Sequence, residues 1–150
     1  MKISYINDLN RSRSIFAYNH IKKVLEAIED TCNEIKKLEK ESDNTDKFLS
    51  QINDLKDKKL DKEKYKSHLT KFPMLIKNNG IFAAMSFAKG KDKEYKQIYK
   101  DIVEWLKKLD LLQKDFVEEI EDIDFKLITI ETIEVCIWFK RLASTMIEKG

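Results

Sequence analysis

Apolar residues recur along this chain in steps of three and four. Tyr18, Ile21, Leu25, Ile28, Cys32 and Ile35 alternate those steps, which places all six on one stripe of an α-helix reaching about Lys40. The stripe is too short to require an extended coiled coil, so it predicts packing within the chain's own domain. Ser42-Asp43-Asn44 supply the stop. Phe48, Ile52 and Leu55 then predict a brief helix rich in Lys and Asp, and residues 42–62 read as a mobile or weakly helical connection. Asp61 is placed to cap the next helix, with Tyr65, Leu69 and Phe72 on one side. Pro73 lacks an N–H and restricts the residue before it, so a kink or fresh start is expected there. Asn78-Asn79-Gly80 tolerate positive φ and predict the end of that helix.

The run Ile81-Phe82-Ala83-Ala84-Met85-Ser86-Phe87-Ala88 carries no charge on any face, which predicts a short helix inside the core. Gly90 ends it and Asp92 caps the next. There Tyr95, Ile98, Ile102, Trp105 and Leu109 form one stripe, widened by Tyr99, Val103 and Leu106. Residues 128–135 are rich in β-branched side chains and resemble a strand. The steps from Ile128 through Thr132, Val135, Phe139 and Leu142 to Met146 are four, three, four, three and four, which predicts a helix; a single strand would have no partner. On the opposite side of that helix lie Ile130, Ile133 and Ile137. A helix apolar all round is either central to its domain or covers a partner, and the sequence leaves both open.

Composition strengthens the helical reading. One proline and three glycines in 150 residues are too few for a sheet with many tight turns. Residues 1–150 are expected to form one domain, an all-α single compact bundle of five to seven helices. Cys32 and Cys136 are isolated from each other and from histidine, so core thiols in a reducing compartment are expected rather than a disulfide or metal site. The charged N-terminus and the lack of a bilayer-length apolar run predict a cytoplasmic protein without membrane contact.

The formal charge of +2 is unevenly spread. Residues 1–60 carry 12 Lys/Arg against 11 Asp/Glu, residues 61–108 carry 12 against 6, and residues 109–150 carry 5 against 10. A polyanion would meet the middle segment first, although interspersed lysines also serve simply as solvated helix faces. Lys71, Lys77, Lys89 and Lys91, with Lys140-Arg141 breaking the acidic terminus, are the candidate residues for binding a phosphate polyanion, RNA in the reading that follows. Lysines suit backbone phosphate rather than base edges, so such binding would be indifferent to sequence. His20 and His68 stand alone, and Glu131-x-x-Glu134 lacks the Glu-x-x-His partners of carboxylate metal bundles. With no phosphate-cradling loop or nucleophile motif, no catalytic residue, metal or cofactor is expected.

Two blocks of residues fall in a familiar order. Phe125-Lys126, Thr129-x-Glu131 and Trp138-Phe139-Lys140-Arg141-Leu142-Ala143 form the first. Phe72-Pro73, Ile76, Asn79-Gly80-Ile81, Phe87, Tyr95, Tyr99 and Trp105-Leu106 form the second, with a weaker Arg13, Ala17, Val24 pattern upstream. Over about residues 65–147 the chain resembles the small subunit of the type III-B CRISPR effector, the Cmr complex. Phe125, Lys126 and Leu142 stand where that family usually has Tyr, Arg and Phe, and Phe82 replaces a common Gly. The resemblance implies a non-catalytic subunit that stacks with backbone subunits, and with further copies of itself, along guide and target RNA in antiviral defence. Ile130, Ile133 and Ile137, read from their place on the helix, are the candidate partner-interface residues. The alternative is a cytoplasmic helical protein–protein interaction module without RNA binding.

Overall fold

The computed structural model describes residues 2–41, 46–116, 118–119, 121 and 123–148. Among the described residues six α-helices follow one another: α1 (Lys2–Glu41), α2 (Asp46–Lys58), α3 (Lys62–Asn79), α4 (Ile81–Gly90), α5 (Lys93–Lys108) and α6 (Phe125–Met146). The all-α expectation holds. The Ser42-Asp43-Asn44 stop and the junction through Thr45 lie outside the described residues.

Local chemistry sets most helix starts. Asp61, Asp92 and Asp124 adopt extended backbone, and each side chain accepts from the amide three residues on, at Lys64, Tyr95 and Leu127. That satisfies an amide the first turn would otherwise leave open. Gly80, with φ at 87°, donates its N–H to the Ile76 carbonyl at 2.8 Å and passes the chain directly into α4. At the end of α5, Asp110 takes the left-handed conformation (φ 61°). There the Leu111 amide reaches the Leu106 carbonyl and the Asp110 amide reaches Lys107, a Schellman arrangement that satisfies the last carbonyls of the helix.

The hydrophobic centre is α6. It packs chiefly on α1 and α3 and also touches α4 and α5. Ile128, Thr132, Val135, Cys136, Phe139 and Ala143 are buried along its inner side, facing a core that includes Phe16 and Ile21 of α1, Tyr65 and Phe72 of α3, and Ile102 and Trp105 of α5. Full burial of each large apolar side chain contributes roughly 1.5–3 kcal/mol relative to exposure. The C-terminal half of α1 and α2 form a hairpin outside this core, with Ile35 and Ile52 buried apart from the main cluster.

Three local expectations differ from the structure. Helix α3 continues through Pro73 as one element, with the ring buried; its partners in the core outweigh the missing N–H bond. Helix α4 is not enclosed. Ile81, Ala84, Met85 and Ala88 point inward, while Phe82 and Phe87 are exposed, because only one side of so short a helix meets α3 and α5. On α1 the inward stripe uses Phe16, Ala17, Ile21 and Val24, and Tyr18 faces solvent.

Candidate functional site

The outward side of α6 carries exposed apolar residues. At about 100° per residue, Leu127, Ile130, Glu134, Ile137, Trp138 and Arg141 fall within one sector, opposite the buried one. Leu127 and Ile130 are exposed, Ile130 by 51%. Ile137 and Trp138 are half-buried, and the Arg141 guanidinium lies 5.3 Å from the Trp138 ring centre. This stacking holds a cation on an apolar strip. Of the three isoleucines expected at an interface, Ile130 and Ile137 therefore share the outward sector. Ile133 sits at its edge, half-buried and packed against the core.

The six candidate RNA-binding cations are all exposed, but they are dispersed. Lys71 and Lys77 stand on α3 about 120° apart around the axis. Lys89 donates to the Asp115 carboxylate at 2.7 Å and lies over the Tyr99 ring, so much of its charge is already matched. The Tyr99 hydroxyl donates to the same carboxylate. Lys91 lies over Phe87 at 6.0 Å. Lys140 and Arg141 occupy the outer flank of α6. The six do not converge on one another among the described residues.

Three residues of the sequence pattern, Arg13, Trp105 and Glu131, lie inside instead. Glu131 is buried and holds the Arg13 guanidinium in a two-point pair, Nε to Oε1 at 2.7 Å and Nη2 to Oε2 at 2.6 Å. Trp105 Nε1 donates to the same Oε1 at 3.0 Å, and Arg13 also donates to Asn10. One carboxylate thus ties α1, α5 and α6 together. Both Glu131 oxygens accept from buried donors.

A second polar group joins α1 to α5. His20 approaches the Glu104 carboxylate through Nε2 at 2.8 Å and Asp101 Oδ1 at 4.0 Å, while its Nδ1 meets the Phe16 carbonyl. Burial pushes the Asp101 carboxyl up to about 6, with Glu104 adding to the rise and His20, the Gln97 hydrogen bond and Lys100 opposing it. Burial also raises Tyr65, again assisted by the Asp101 charge. Asp92 is drawn below its usual range: burial opposes this, and the Tyr95 amide and His68 outweigh it. Burial leaves Cys136 a protonated, inert thiol. Sequence reasoning passed over the His20 group because its members are 84 residues apart at the extremes; only the Asp101-x-x-Glu104 spacing hinted at it.

Among the described residues no helix is long and apolar enough to cross a membrane. Residues 40–146 match the family model for CRISPR-associated protein (Cas_Cmr5). No curated protein and no solved structure matches the chain.

Proposed function

The chain belongs to the CRISPR-associated Cmr5 family, and from that premise we propose that it serves as the non-catalytic small subunit of a type III-B RNA-guided effector, in the cytoplasm, in antiviral defence. The carrying observation is that the family match encloses helices α2 to α6, including the whole outward strip of α6. An exposed apolar strip ending in a stacked arginine suits docking on a neighbouring subunit, whether a backbone subunit or another copy. Lys71, Lys77, Lys89, Lys91, Lys140 and Arg141, being dispersed and solvent-facing, suit a few phosphate contacts along a guide–target duplex rather than a closed RNA pocket. Isolated protein would bind RNA weakly and without sequence preference, and the assembled particle far better.

The second reading is a helical interaction module without RNA binding. It is favoured by the neutralisation of Lys89 by Asp115 and by the dispersal of the other candidate cations. The discriminating experiment replaces Lys77, Lys89, Lys91, Lys140 and Arg141 with glutamine together and reconstitutes the particle. Retained assembly and weaker target binding are expected, with a log–log salt slope shallower by roughly 0.7–0.9 for each phosphate that is no longer neutralised. An unchanged affinity and slope would leave only the interaction module.

A further inference from the structure

We infer that His20, Asp101 and Glu104 form a binding site for a divalent cation of the Zn2+ class, which pins α1 to α5. One ligand atom from each lies within 4.8 Å of the others. In a shell with metal–ligand bonds of about 2.0–2.2 Å, donor atoms sit roughly 2.8–3.6 Å apart. The Nε2–Glu104 distance of 2.8 Å already matches, and the 4.0 Å to Asp101 closes with a small rotation of side chains.

The histidine is prepared for ligation. Its ring stacks on Phe16 with centroids 3.9 Å apart, and Nδ1 lies 2.9 Å from the Phe16 carbonyl. A proton held on Nδ1 by that carbonyl leaves the Nε2 lone pair facing the carboxylates, the arrangement by which metal-binding imidazoles are oriented. Asp101 supplies the second, independent sign. It is only 3% exposed; its Oδ1, the oxygen 4.0 Å from His20 Nε2, accepts from Gln97 at 3.0 Å, whereas its Oδ2 accepts no hydrogen bond, and a buried carboxylate with an open acceptor calls for a cationic partner. A cavity of about 300 Å3, lined by all three residues with Gln97, has room for the ion and water.

One imidazole with two carboxylates suits Zn2+, Co2+ or Mn2+, whereas Ca2+ and Mg2+ favour all-oxygen shells and Cu(I) favours sulfur. Lys23 and Lys100 also line the cavity; both are exposed and long enough to turn away as the ion enters. The competing account is a plain ion pair between protonated His20 and Glu104 that needs no metal.

The test uses the full chain, stripped with chelator and titrated with Zn2+ by calorimetry and with Co2+ by visible absorption, alongside thermal melting. One ion per chain, Co2+ bands indicating nitrogen–oxygen ligation, and a melting temperature that rises with Zn2+ are expected, since binding confined to the folded state stabilises it. Glu104→Gln and Asp101→Asn should each weaken binding by at least about tenfold with unchanged circular dichroism. His68→Gln removes the other histidine, which pairs with Asp92, and should leave binding intact. No saturable binding by the wild type, or binding lost in His68→Gln and retained in both carboxylate variants, would overturn the site.

Discussion

Single residues in this protein do more structural than chemical work, and Glu131 is the clearest case. Its carboxylate receives Arg13 through two bonds and the Trp105 indole through a third, all buried. A pair of this kind contributes little over an apolar replacement, but losing one member leaves a buried charge unmatched. Glu131→Gln should therefore cost about 3–5 kcal/mol in urea unfolding, while Arg13→Met with Glu131→Met should recover part of that loss. A Glu131→Gln protein as resistant to urea as wild type would show that the pair is not the tie between α1, α5 and α6 that its geometry indicates. Thr129-x-Glu131 and Trp105 stand out in the sequence as members of a pattern; the role of Glu131 and Trp105 is to hold the bundle closed.

Among the elements, α6 presents two different sides. Its inner sector is core, and its outer sector is an open strip from Leu127 to Arg141. The isoleucines divide accordingly. Ile130→Asp places a charge in solvent and should leave circular dichroism and melting nearly unchanged while impairing assembly with other Cmr subunits. Ile133→Asp pushes a charge against packed core residues and should lower stability by roughly 1–3 kcal/mol. If Ile133→Asp melts like wild type, the edge of the strip lies farther round the helix than its burial indicates. If Ile130→Asp assembles normally, the strip is not the docking face.

The molecule as a whole responds to acid through opposed groups. Asp101 has its carboxyl raised to about 6, so its contribution is fully favourable below the unfolded value near 4 and is lost as pH rises through about 6. Asp92 is lowered, so its contribution is present above its unfolded value and lost as pH falls through the folded one. Glu119, held low by the Lys114 and Gln113 amides, acts in the same sense as Asp92. In metal-free buffer, Asp101→Asn should be more stable than wild type at pH 7 by about 2–3 kcal/mol, with the gap closing towards about pH 4. Parallel stability curves for the two proteins across that range would contradict the burial of a charged Asp101.

The sequence by itself determined the helices, most of their ends and the family. Capping by Asp61, Asp92 and Asp124, the turn at Gly80 and the three-and-four spacing of α5 and α6 all act within about four residues, so the chain carries them locally. The β-branched stretch at 128–135 became helix for the same reason, its period outweighing its strand propensity. Only the tertiary structure decided what each helix side meets. It carried α3 through Pro73, left Phe82 and Phe87 of α4 in solvent, turned Tyr18 outward, and closed Arg13 on Glu131 across 118 residues. It likewise gathered His20 with Asp101 and Glu104. These outcomes rest on which helices lie against one another, and periodicity marks an apolar side without naming its neighbour or the polar groups that neighbour brings.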